Sequence, residues 1–556
     1  MNKITVTFEN GSIVRCLVGS EVGSLIRDHA GPSELPYIGA MVNNDASSLS
    51  YPLSFNSTVR FITAADPHGW RIYRHSLCFL LAKAVRELYP DAVLSVEHSF
   101  GQGLYCSFKK NAAGPEGITC DQVAAIEARM HEIVKEDITI ERRKVSYTDA
   151  VEAFETSGQH DRLNLLRYRN PPHIVIHYCK GFSDLSHGPL VPSTGVLQQW
   201  KLITYKPGFV LHLPDRLEMK VLPPFEDQPH LFQVFQEHKQ WGRVLGVDTV
   251  GRLNEIIAKG EIEDFILTSE GLHEKKISKI ADMISEGRKQ IKLVLIAGPS
   301  SAGKTTFAKR LTTHLNVNGL RPVTLATDDY FVGPEKNPRD EDGKLDYEHL
   351  EAVDLELFNR DLLTLVQGGE IEAPVFNFEE KHREYRGTKI RIAEDQILII
   401  EGIHGLNPRL TQMVPAANKF KIYISALTQL NLDSNNRIST TDNRLMRRMV
   451  RDNKFRGHSA METIQLWPSV RRGEKAWIFP FQREANAVFN SALDYELAVL
   501  KPLVEPLLME VKPSCPEYAE VRRLSEFLVN FLSAPDRVIP RDSILREYIG
   551  GSCFKY

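Results

Sequence analysis

"GPSSAGKTTFAKR", residues 298–310, decides how the back half of this chain folds. Gly298, Gly303, Lys304 and Thr305 satisfy the spacing G-x-x-x-x-G-K-[ST], between the apolar run "KLVLIA" and the amphipathic run "TTFAKRLTTHL". A strand that breaks at glycines and restarts as a helix leaves backbone N–H groups unpaired, with the positive end of a helix dipole behind them. Ser300, Ser301, Ala302 and Thr306 complete this ring of donors. Such a loop suits the phosphates of a nucleoside triphosphate, with Lys304 on the β/γ oxygens and the Thr305 hydroxyl on Mg2+. ATP and Mg2+ are the expected cofactors.

Working outward, "IKLVLIA", "PVTLAT", "QILIIEG", "KFKIYIS" and "YELAVL" are short apolar runs separated by helical periods. That alternation predicts an α/β fold, a parallel sheet with helices on both faces. In such sheets ligands gather at the carboxyl ends of the strands. "VTLATDDYF" ends there in Asp328 and Asp329, and a carboxylate so placed can accept the proton of an attacking hydroxyl. "QILIIEGIHGLNP" ends in Glu401, the expected second arm of the metal site beside Thr305. His404, between Gly402 and Gly405, reads as a turn cap. In "DNRLMRRMVRDNKFRGHS", Arg444, Arg447, Arg448 and Arg451 share one helical face, and Arg456 follows. A solvated charged face is one reading of that run. The company of a phosphate loop favours a mobile arginine lid that closes on a transferring phosphoryl group.

The chain has 556 residues, too many for one ordinary core, and domain-size priors give roughly three to four domains. Net charge is −3, which gives no overall positive field to draw in nucleic acid or an anionic membrane. The seven cysteines are scattered, odd in number and without a C-x-x-C pair, which argues against disulfides and thiolate zinc and fits a reducing cytoplasm. The sequence shows no signal-peptide pattern at its start and no apolar run long enough to span a bilayer. A cytoplasmic protein with no membrane partner is expected.

Ahead of the loop, residues 1–64 alternate strand-like runs and turns, predicting a small β-grasp unit. Residues 65–214 mix amphipathic helices and strands. The proline-rich segment after Pro214 reads as a linker, and helical periods carry residues 215–288 to the loop domain, 289–500. A helical tail, 501–556, is expected to dock on that domain through Ile544, Leu545, Tyr548 and Phe554.

Taken together, residues 291–500 resemble the uridine kinase and phosphoribulokinase group of P-loop kinases. The resemblance implies transfer of the ATP γ-phosphate to a 5′-hydroxyl of a nucleoside, uridine foremost. A sugar phosphate or other small alcohol is the alternative acceptor, toward which "RGHS" leans. "TDDYF" resembles the family's base signature, implying Asp328 as catalytic base and Asp329 as its neighbour in substrate binding. "LDYEHLEAVD" resembles the ribose-binding stretch and implies Asp346. "APVFNF" followed by an arginine resembles a base-contact segment and implies Phe376 and Arg383, although Asn377 and Lys381 depart from the pattern. "RLMRRMVRD" and "RG" resemble the lid, implying Arg448 on ATP, Arg451 in catalysis and Arg456 in both catalysis and substrate binding.

Residues 1–64 resemble a TGS domain, and residues 70–205 resemble the editing-type domain of threonyl-tRNA synthetase. The histidine and cysteine pairs of that domain fall here on His75, Phe79, Ser186 and Leu190, and phenylalanine and leucine neither bind metal nor move protons. Neither metal nor aminoacyl hydrolysis is expected there. The order of modules resembles a group of long bacterial nucleoside kinases. An RNA- or nucleotide-sensing role for the front half stays open, without a dense basic stripe to support it. The expected partners are a small-molecule substrate, RNA through the front half, and a second copy of the chain.

Overall fold

The computed structural model describes residues 2–111, 114–377, 380–393 and 395–555. Five strands form one all-parallel sheet in the order Arg321–Ala326, Gln396–Glu401, Leu293–Ala297, Lys419–Ser425, Ala487–Asn490. Period-two alternation splits their side chains between two cores. Val294, Ile296, Ile399 and Ile422 face one core, which also holds Phe307 of the helix Lys304–Val317 and Ile277 and Ile280 of the helix Ile262–Glu286. Leu293, Leu295, Leu398 and Ile400 face the other, packed on Phe358 and Leu362 of the helix Leu355–Val366. Burial on both faces explains why these strands read as unbroken apolar runs.

One strand assignment is corrected. "YELAVL" begins a helix, Glu496–Met509, and the fifth strand is the short run Ala487–Asn490. Leu497, Ala498, Val499 and Leu500 are all buried, and a short apolar run buried on every side has no periodicity that separates strand from helix.

In the front half, residues 3–63 form a mixed five-stranded sheet in which Lys3–Phe8 and Ser57–Thr63 run parallel. The helix Pro67–Leu88 follows, started by Asp66, whose side chain accepts the N–H of His68. A four-stranded and a three-stranded antiparallel sheet complete this region. Among the described residues, no helix is long and apolar enough to cross a membrane.

The two halves are locked together. A hairpin of the back half, Asn431–Asp433 and Asn436–Arg437, enters the cleft lined by His75, Cys78, Phe79, His177, Asp184, His187 and Leu190. Asp433, fully buried, lies 2.7 Å from His187 Nε2 and 3.5 Å from Arg162 Nη2. Ser434 N–H donates to Asp161 at 2.8 Å, and Asn435 donates to Asp184 at 3.1 Å. Burial alone would raise the Asp433 carboxyl; the Arg162 and His187 charges outweigh it and hold the group well below the usual carboxylate range.

Candidate active site

The sheet register builds the site. Glu401 pairs with Ile296 on one side and Ala326 on the other, so one strand end stands between the phosphate loop and the segment carrying Asp328. Gly298 has no room for a side chain: a Cβ there would meet Ile424 O at 2.2 Å. Gly303 starts the loop helix at φ +81°, a conformation that favours glycine. Ser301 also has positive φ, 57°, and its buried hydroxyl has no hydrogen-bond partner among the described residues. Ala302 is fully buried beneath the loop. This cradle of glycines with a polar atom left unpaired is what a phosphate group would fill.

Three ionisable groups, Lys304, Asp328 and Glu401, and the Thr305 hydroxyl converge on it. Thr305 Oγ1 donates to Glu401 Oε2 at 3.3 Å, placing two oxygen ligands of the kind Mg2+ takes side by side. Burial raises the Glu401 carboxyl to about 7, with Lys304 opposing; a divalent cation between these oxygens would relieve that penalty. Lys304 Nζ donates to Pro299 O at 3.2 Å. Asp328 opens to solvent on one side and is walled by protein on the others. The surrounding protein raises its carboxyl above the usual range, while the charges of Lys304, Arg456 and Arg451 pull it back. Asp329 turns away, accepting the Phe376 N–H at 3.4 Å.

The arginine helix, Thr440–Arg456, departs from expectation. Arg444 and Arg447 are buried, 1% and 0% exposed, and neither belongs to a mobile lid. Arg444 forms a two-pronged pair with Glu474 and donates to Ser300 O at 2.9 Å. Arg447 pairs with Glu496 and donates to Ser491 O at 2.8 Å. With Leu445, Met446 and Met449 in the core, this face is a fixed buttress behind the loop. The remaining three arginines gather on Asp452. Arg448 lies 3.1 Å away and also donates to Ser300 Oγ at 2.9 Å, Arg451 lies at 2.8 Å, and the exposed Arg456 at 3.6 Å.

The acceptor side holds three corrections. The Asp346 carboxylate is engaged locally: it accepts the Glu348 N–H at 3.0 Å and shapes a turn. Glu348, two residues on, lies within reach of the loop charges: burial raises it to about 7 against the pull of Arg448 and Lys304, and its Oε2 has no hydrogen-bond partner among the described residues. Phe376 is 4% exposed, its ring edge-on to Phe331 in the core, so it offers no open stacking face. Arg383 is tied to Asp354 at 3.0 Å, so its guanidinium is already engaged by a carboxylate. His404 is buried, and burial pushes its imidazole down to about 3, a neutral packing residue.

The tail reaches the site as well. Glu547 Oε2 accepts from Thr306 N at 3.2 Å and from Thr306 Oγ1 at 2.7 Å. Nothing in "RDSILREYIGG" announces this, because the contact joins residues 241 positions apart.

A phosphate loop backed by fixed arginines, with two acids at adjacent strand ends, defines a P-loop kinase domain. Residues 293–498 match the model of the Phosphoribulokinase / Uridine kinase family, and the C-terminal region carries a domain of that family. The N-terminal part is similar to threonine–tRNA ligases: 31% identical over 36% of this chain to that of Desulforamulus reducens, and 36% over 30% to that of Acidithiobacillus ferrooxidans. The chain spans only 31% and 25% of the length of these curated relatives. A solved structure described as a possible uridine kinase from Bacillus stearothermophilus aligns at a TM-score of 0.26 and 16% identity, over 38% of this chain and 97% of that one.

Proposed function

We propose that this protein is a kinase that uses Mg2+ and ATP to phosphorylate a small alcohol, with the 5′-hydroxyl of a nucleoside such as uridine as the first acceptor to test. The observation that carries the reading is the meeting of Lys304, Thr305, Asp328 and Glu401 at three adjoining strand ends. Thr305 and Glu401 would hold Mg2+, which would supply neutralisation of phosphate charge. Asp328, its affinity for a proton raised, takes the proton of the acceptor hydroxyl. Lys304, Arg448, Arg451 and Arg456 stabilise charge on the equatorial oxygens. Catalysis is then mainly positioning and electrostatics.

A phosphorylated sugar is the second reading, favoured by the core burial of Phe376, which leaves no open aromatic face for a base. A panel of nucleosides and sugar phosphates with labelled ATP separates the two. In either case Asp328→Asn should lower kcat by roughly 10²–10⁴-fold while ATP still binds. Unchanged turnover would remove Asp328 from the mechanism.

A further inference from the structure

Resting on the kinase reading of this site, we infer that Glu547 is a built-in surrogate for a nucleotide phosphate, and that ATP must evict its side chain to bind. The backbone N–H and hydroxyl of Thr306, at the start of the loop helix, are donors that an anion seeks at such a terminus. Both already end on one carboxylate oxygen, at 3.2 and 2.7 Å. The occupant is not loosely placed. Ile544, Leu545 and Tyr548 are each 0% exposed, and a Cβ on Gly303 would meet Ile544 Cγ2 at 2.5 Å, so the tail rests on the phosphate loop itself. Arg447 lies over the Tyr548 ring, 5.2 Å from its centroid, and Lys454 Nζ donates to Ile549 O at 2.5 Å.

That packing decides which part can move. Pulling the whole segment away would expose three fully buried apolar side chains and undo contacts made by the arginine helix. Glu547 itself is only half-buried, and rotating it off Thr306 costs two hydrogen bonds and leaves the tail in place. The gate is therefore one side chain on a fixed post. While it is closed, its negative charge also repels incoming phosphates. A binding-competent state populated at a tenth or less weakens apparent nucleotide affinity in proportion.

The test is calorimetric titration of the full-length chain with ATP in the presence of Mg2+, for the native protein, Glu547→Gln and Glu547→Ala. Gln keeps the size and removes the charge, which guards against a variant that fails through packing. Both variants should bind about ten-fold more tightly than the native chain. They should also melt at a lower temperature without nucleotide and gain more on its addition. Equal or weaker ATP binding by a variant that melts cooperatively overturns the inference and leaves the kinase reading standing. Absence of ATP binding by all three proteins overturns both.

Discussion

Asp328 and Glu348 lie within electrostatic reach of each other, and the surrounding protein raises the proton affinity of both above that of an ordinary carboxylate, although Asp328 itself is open to solvent on one side. For a base this has a sign. Asp328 works only when deprotonated, so a raised pKa moves the acid limb of kcat/KM upward. That limb, which reports the free enzyme, should lie above the 3.8 of an unperturbed aspartate, and a limb at or below 3.8 would contradict the assignment. Glu348 has the unpaired oxygen, so it is the expected ligand of an acceptor hydroxyl. Glu348→Gln should raise the acceptor KM by roughly ten-fold or more and leave the ATP KM unchanged. At this scale the sequence was most informative where chemistry is local. Gly298, Gly303, Lys304 and Thr305 declare themselves through a fixed spacing along one turn, whereas Glu348 and Asp346 differ only in which way a turn directs them.

The arginine helix shows the same limit for a whole element. Its i, i+3, i+4, i+7 pattern correctly gives one charged face but cannot say whether that face meets solvent, ligand or buried acids. Glu474 and Glu496, which decide the matter for Arg444 and Arg447, come from two other helices. Removing one partner of a fully buried pair strands the other charge, so Glu496→Ala should cost about 3–5 kcal/mol of stability by denaturant unfolding. Replacing Arg447 and Glu496 together by apolar residues of similar volume should recover most of that loss. A loss in the double variant equal to the sum of the losses in the two single variants would show that the pair is not coupled.

Across the whole molecule, the division into front and back breaks down. One core runs from Ala150, Phe154 and Leu165 through the helix Ile262–Glu286 to Tyr548 and Ile549. A fragment starting at residue 285 would lose Ile266, Ile277, Ile280 and Ile284, each 0–1% exposed and each worth roughly 1.5–3 kcal/mol when buried. It should fail to fold cooperatively, whereas the full chain should show one joint unfolding transition for these elements by calorimetry. The module order is readable from composition and motif. The interlock is not, because "NLDSNNR" looks like any polar turn until Arg162, Asp184 and His187 close around it.

That same polar hairpin ends only three residues before the helix Thr440–Arg456 begins. A visitor large enough to fill the histidine-lined cleft would have to draw Asp433 out, and the pull would be felt along the rod that braces the phosphate loop. Occupancy at one end and group transfer at the other would then compete through a shared lever, although neither ligand touches the other.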